Sequence, residues 1–357
     1  MSSLRKTTVR RTTLALAIFT VMQNAAFARA DDDANVTKDT RQAKTMEAVS
    51  VVASGETRQV QKVSAEDIQA RAPGTSALKV INELPGVNFQ SADPWGAYEW
   101  STQITLHGFD QSRLGFTLDG IPLGNMSYSP TTGLQVTRAV TSENIATVEL
   151  AQGAGALGTA SNTNLGGTVQ FFTADPDKQA GVRFNQVFGS DATRRSYVRL
   201  DSGNFGGWSA YLSYVHGETD KWKGYGNQRY DQLNLKSVYQ WNSGRVALFV
   251  DSSRRKEYDY MDLSLTSRKV LGWNFDYLQP DWNTAVQMAN AINGLAPYPA
   301  RFDTLPPGYP VSDVTYYAGG GLRRDNLAGL SGSFNLAENI NLDIGGYYHA
   351  NRGERQW

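Results

Sequence analysis

The sequence predicts an α+β domain followed by antiparallel transmembrane β-strands, the beginning of an incomplete outer-membrane β-barrel. Three observations carry this fold class. From Gly181 onward apolar and polar residues alternate with a period of two, in segments of about ten residues with aromatics near their ends. Ahead of them, short amphipathic helical pieces interleave with short strand-like pieces separated by Gly and Pro turns. The chain opens on an export leader: Arg5, Lys6, Arg10 and Arg11, an apolar stretch from Leu14 to Met22, then small residues ending in Ala26-Phe27-Ala28 and Ala28-Arg29-Ala30.

Composition narrows the function. The 357 residues hold 34 Lys+Arg against 34 Asp+Glu, so there is no basic excess of the kind nucleic-acid binding requires. The absence of Cys removes a disulfide framework, thiolate zinc sites and a cysteine nucleophile. His107, His216 and His349 are too widely spaced to form a metal-ligand pair. No nucleophile, base and orienter assemble at any recognisable spacing, so neither an enzyme nor a cofactor is expected. The 34 Gly, 17 Tyr, 14 Phe and 8 Trp favour turns and strands.

Residues 1–30 read as the leader. Cleavage after Ala30 leaves Asp31-Asp32-Asp33 as the new terminus, with Ala28 the alternative site. A twin-arginine reading of Arg10-Arg11 is weaker, because Thr12-Thr13 follow. Beyond residue 30 there is no run of about 18 apolar residues, so no transmembrane helix is expected. The exported chain is then periplasmic, secreted or a membrane barrel. Residues 31–60 are a polar arm with one apolar patch, Met46 to Ala53.

Residues 61–175 read as the compact α+β domain. Ser64 to Ala72 and Ser76 to Leu84 look helical, with Ser64 and Asp67 spaced as a capping box. Strands are expected at Ile104 to Leu106, Leu114 to Leu118, Thr147 to Leu150 and Gly167 to Phe172. Pro85-Gly86 and Asp119-Gly120 are turn dipeptides.

Residues 176–357 read as the first barrel strands, at 181–189, 195–202, 208–216, 231–241, 245–253, 327–336 and 340–348. Trp208, Ala210, Leu212 and Tyr214 share one face, and Ser209, Tyr211 and Ser213 the other. A soluble β-sandwich alternates in the same way. The connections favour a barrel, with short turns at Gly203 to Gly207, Asn242 to Gly244 and Ala337 to Asn339, and opposite connections that run from brief, Ser190 to Arg194, to very long, Arg254 to Asp325. Asn351 to Gln356, charged and without alternation, reads as outer loop.

Four blocks then carry a resemblance. They are Leu84-Pro85-Gly86-Val87-Asn88-Phe89, Ile104-Thr105-Leu106-His107-Gly108-Phe109, Leu118-Asp119-Gly120-Ile121-Pro122-Leu123, and Val148 to Gly153 followed by Asn164-Leu165-Gly166-Gly167-Thr168-Val169. In this order they resemble the plug domain of TonB-dependent outer-membrane receptors over residues 78–172. The chain departs from the family pattern at Gln152-Gly153-Ala154, where many members have Arg-Gly-Pro, and at His107, where an Arg is usual. Such receptors close with about 22 strands, and an eight-stranded barrel has room only for side chains. Seven strands cannot enclose a plug, so the chain is expected to be an N-terminal portion of a longer protein.

The resemblance implies further expectations. Glu47, Ala48, Val49, Ser50, Val51, Val52 and Ala53 resemble the TonB box, which pairs with an edge strand of the energy-coupling protein TonB in the periplasm. A plain linker is the alternative. Ligand contacts are expected from Trp95, Tyr98, Trp100, Asp110, Gln111, Met126 and Tyr128 of the plug, and from Trp222 and Tyr225 of an outer loop. The implied function is import of a scarce nutrient across the outer membrane of a Gram-negative bacterium. A ferric siderophore is favoured, with carbohydrate or cobalamin, or a fragment that only binds ligand, as alternatives. Partners are TonB, outer-membrane lipid and the small-molecule ligand, with no nucleic acid.

Overall fold

The computed structural model describes residues 60–356, except 127–132, 154, 157, 162 and 306–313. The leader and the Glu47 to Ala53 segment lie outside the described residues. No described helix is long and apolar enough to cross a membrane.

The first domain is built on a five-stranded sheet. Its strands are β1 (Val60–Ser64), β5 (Leu114–Leu118), β6 (Ile121–Gly124), β7 (Ile145–Gln152) and β8 (Gly167–Thr173). The order is β1-β7-β8-β5-β6, with only β5 and β8 parallel. A smaller sheet joins β2 (Val87–Gln90), β3 (Gln103–Leu106) and β4 (Phe109–Asp110). Helices α1 (Ala65–Gln69), α2 (Ala77–Val80) and α3 (Val136–Ala139) are short. Helix α1 starts on the expected capping box: Asp67 N–H donates to Ser64 Oγ at 3.3 Å, and Ser64 N–H to Asp67 Oδ2 at 2.9 Å. These bonds from Ser64 hold the Asp67 carboxyl below its usual range. The core gathers Leu78, Ile81, Leu106, Phe116, Leu118, Val148, Val169 and Phe171.

The second part is a meander of seven antiparallel strands: β9 (Ala180–Phe188), β10 (Arg194–Ser202), β11 (Trp208–Asp220), β12 (Asn227–Trp241), β13 (Gly244–Tyr258), β14 (Gly320–Ala337) and β15 (Ile340–Gln356). They form an open sheet with β9 and β15 at its edges. The expected face assignment holds, and burial gives it direction. Ser209, Tyr211 and Ser213 are buried against the first domain, while Trp208, Leu212 and Tyr214 are exposed. The same inversion gives β9 exposed Val182, Phe184 and Phe188, whereas the edge strand β15 is exposed on both faces from Ile340 to Tyr348. A sheet whose apolar residues face outward and whose polar residues face a packed domain fits a lipid-facing wall.

Two expectations are corrected. Asn351 to Gln356 is not outer loop: β15 runs through it, paired from Asp325↔Asn351 to Gly320↔Gln356. Backbone pairing needs no side-chain alternation once a strand projects past its apolar band. The long connection is shorter at both ends than expected, spanning 259–319, because β13 reaches Tyr258 and β14 starts at Gly320. It holds helices α4 (Leu265–Leu271), α5 (Trp282–Ile292) and α6 (Ala300–Asp303), with a core of Met261, Leu271, Phe275, Leu278, Met288 and Phe302. Ser264 and Asp281 cap α4 and α5.

Candidate functional site at the sheet end opposite the short turns

Three segments meet at the end of the sheet opposite its short turns: the loop after β2, the β11–β12 connection, and the 259–319 insertion. Asp93 shapes the first. Its carboxylate accepts from the backbone N–H of Trp95 at 3.1 Å and of Ala97 and Tyr98 at 3.0 Å. That turn buries Tyr98, whose hydroxyl donates to Asp259 Oδ1 at 3.3 Å and accepts from Tyr260 N–H at 3.1 Å. The Tyr98 and Tyr260 rings meet edge to face at 5.4 Å, and Trp222 stacks on Tyr260 at 5.7 Å. Trp222 N–H also donates to the Tyr260 hydroxyl at 3.2 Å. Burial pushes the Tyr260 phenol up to about 12.

Beside these rings Asp276, fully buried, draws in two lysines. Its Oδ2 pairs with Lys221 Nζ, and its Oδ1 accepts from Met261 N–H at 2.6 Å and lies 3.7 Å from Lys223 Nζ. Lys221 also donates to the Asp259 carbonyl at 2.6 Å, and Lys223 to the Met261 carbonyl at 2.8 Å. Burial lowers both lysine pKa values, with Asp276 opposing. Gly224 closes the turn at φ +69°, and a Cβ there would strike Asp276.

A polar seam between plug and sheet lies below. Arg138 of α3 pairs with Glu99 at 2.6 Å and with Asp325 of β14, all three buried. Asp325 also meets His349 at 3.0 Å and Asn351 at 2.7 Å. Arg255 donates to the Ala97 carbonyl at 2.6 Å, and Arg195 pairs with Glu143 at 2.6 Å. Asn144 donates to Ser213 at 2.7 Å and Asn234 at 3.0 Å. Burial pushes the Glu143 carboxyl up, yet Arg195 and Thr141 together hold it below its usual value. One apolar patch interrupts the seam, where Phe249 and Leu327 of the sheet join the plug core.

The structure brings Tyr98 and Trp222 together through Tyr260. Trp95 is half-buried in the same loop as Tyr98, Tyr225 is exposed on the β11–β12 connection, and Trp100 lies under the Arg355 guanidinium at 5.8 Å. Asp110 and Gln111 make local contacts: Asp110 accepts from Ser112 N–H at 2.8 Å, and Gln111 Oε1 from Ile104 N–H at 3.4 Å. Met126 is part of the plug core, and Tyr128 lies outside the described residues. The two departures from the family pattern, His107 and Gln152, hydrogen-bond each other at 2.9 Å, and Gln152 also donates to the Pro85 carbonyl at 3.2 Å. Sequence reasoning missed Tyr260, Lys221, Lys223 and Asp276. The Lys-x-Lys spacing around Trp222 was the available signal.

The fold and seam define a class: a small α+β domain seated on the polar face of an outward-apolar antiparallel sheet. Residues 52–168 match the family model described as TonB-dependent Receptor Plug Domain. Solved structures agree in fold. The ferric yersiniabactin uptake receptor of Yersinia pestis aligns with 84% of this chain and 42% of its own, at 14% identity and TM-score 0.55. A ferric citrate transporter in its unliganded form aligns with 84% and 40%, at 17% identity and TM-score 0.61. The closed form of a ferric-catecholate import receptor from E. coli K12 aligns with 84% and 37%, at 14% identity and TM-score 0.56. The chain thus spans about two fifths of the length of these structures. No curated protein matches it.

Proposed function

We propose that this chain belongs to an outer-membrane receptor that binds a ferric siderophore and imports it with energy delivered by TonB. The observation that carries the reading is the aromatic group Tyr98–Tyr260–Trp222, made jointly by plug and outer segments directly above the polar seam. A ligand on the exposed Trp222 ring meets the sheet's outer connections, and Tyr260 links that ring to the buried Tyr98 of the plug. Residues 1–30 act as leader, 31–60 as the periplasmic arm, 61–175 as plug and 176–357 as barrel strands, with outward residues such as Leu212 and Ile344 meeting lipid. Glu47 to Ala53 add a strand to TonB, and pulling on them rearranges the plug. Binding and transport need no covalent step.

The exposed Trp222 and Tyr225 support a second reading, since flat rings also stack on sugars. Calorimetric titration of the detergent-solubilised chain with ferric citrate, a ferric catecholate, cobalamin and a maltooligosaccharide separates the two. Micromolar or tighter binding of a ferric chelate is expected, and binding of the oligosaccharide alone would remove the iron reading. Val51→Pro should abolish capture by TonB and leave ligand affinity unchanged.

A further inference from the structure

The register of the seven-stranded sheet sorts its outward charges into two rows. One runs Ser196↔His216↔Asp231↔Arg254↔Arg324↔Arg352, and the next Arg194↔Glu218↔Arg229↔Lys256↔Leu322↔Glu354. Both lie on the face away from the plug, since Arg255, Arg323 and Asp325, one position along, are buried, and Asn351 beside Arg352 reaches Asp325. Over β10–β12 the signs balance, Arg194 and Arg229 against Glu218 and Asp231, and Asp231 also accepts from the Tyr214 hydroxyl at 2.6 Å and meets His216 at 2.8 Å. Over β13–β15 they do not: Arg254, Lys256, Arg324 and Arg352 stand against Glu354 alone. Arg254, Arg324 and Arg352 are exposed and directly opposite one another, an arrangement that costs stability between like charges. None of the three forms an ion pair among the described residues. Their height on the sheet is also defined. Just below, Ser252 donates to Asn326 at 2.9 Å, and the rows that follow are apolar, Val250↔Ala328↔Tyr348 and Leu248↔Leu330↔Gly346. Just above, β13 ends at Tyr258 and gives way to the 259–319 insertion.

We propose that Arg254, Arg324 and Arg352 form a site on the outward face of the sheet for the phosphate of a membrane lipid whose acyl chains lie along the apolar rows beneath. The proposal rests on the reading of residues 176–357 as membrane strands and adds to it a headgroup and a place for that headgroup. Three guanidinium groups on adjacent strands, about 4.8 Å apart in the backbone, present several planar forks to one anion, and each fork matches two phosphate oxygens. Lys256, with Nζ at 4.9 Å from the Tyr258 ring centre, adds a fourth positive charge. The bound phosphate offsets the repulsion along the row and ties β13, β14 and β15 together on the side the plug does not touch. Cations at the border of an apolar face are what an anionic headgroup meets when its chains are buried alongside.

The test floats the chain with vesicles of phosphatidylcholine, of phosphatidylcholine with phosphatidic acid, and of phosphatidylcholine made equally negative with oleate. Phosphatidic acid should strengthen retention well beyond oleate. Arg324→Gln with Arg352→Gln should lose about 30-fold of the affinity that phosphatidic acid adds. Arg194→Gln with Arg229→Gln removes the same charge from the balanced half of the rows and should change that affinity by about twofold or less. All four side chains are exposed, so both double variants keep the fold. Equal losses in the two variants, or equal retention by oleate, would reduce the effect to overall charge and overturn the site. Millimolar inorganic phosphate that cancels the gain would assign the row to free phosphate and overturn the lipid. Uptake by phosphatidylcholine with no gain from phosphatidic acid removes the site and leaves the membrane reading standing. Uptake by no vesicle removes both.

Discussion

The plug and the sheet it rests on both alternate apolar and polar residues, and they point the pattern in opposite directions. In the plug, Phe116, Leu118, Val169 and Phe171 turn inward and pack on one another. In the sheet, Phe184, Leu212, Leu330 and Ile344 turn outward, while Arg199, Asp251 and Asp325 are the buried ones. Periodicity alone tells strand from helix; it does not tell which side is the core. The plug's polar rim supplies the partners that let the sheet bury charge, as Arg138 does for Asp325.

The sharpest way to break this comparison is to make the same truncation on each side. Phe171→Ala should cost the plug about 3–5 kcal/mol, whereas Phe184→Ala on β9 should change stability by about 0.5 kcal/mol or less; urea unfolding of the two variants measures the difference. Arg138→Met leaves Glu99 and Asp325 as buried carboxylates without their shared cation. A loss of about 3–5 kcal/mol is expected in the same assay, and a neutral result would mean that the seam is wet enough to screen them. Leu212→Arg tests the outward face directly. If that face meets lipid, the substitution should cost about 2–4 kcal/mol in vesicles, and no effect would return the sheet to the soluble class. Acid is the mildest probe. Because Glu143 titrates in the folded protein below its ordinary value of 4.5, its pairing with Arg195 adds stability above that pH. The contribution is lost as pH falls through the depressed value. Protection of the plug from protease should hold from pH 7 to about pH 5 and fall below about pH 4.5, and an earlier loss would point to another group.

Much of the fold was legible because its signals are local. The Ser64–Asp67 box, the Leu114–Leu118 strand and the alternation from Trp208 to Tyr214 depend on neighbours within a few residues. The edge strand Val60–Ser64 was not legible, since its place is set by β7, 91 positions along (Val60↔Ala151). The helices of the 259–319 insertion escaped notice because α5 carries no charged residue in Trp282–Ile292 to frame its face. At the candidate site, Tyr98 and Trp222 stood out as aromatics in loops. Tyr260 and Asp276 did not, because their roles exist only once three distant segments meet.

The seam has a kinetic meaning as well as a static one. Oil pulled from oil exposes its whole area before water can compensate, so apolar contacts part late and steeply. Hydrogen bonds such as Asn144 to Ser213 and Lys236 to Thr173 are exchanged for water singly. Apart from the Phe249 and Leu327 patch, the plug therefore rests on the sheet along a track of many small barriers in place of one large one. A modest force sustained over time moves it further than a brief strong one.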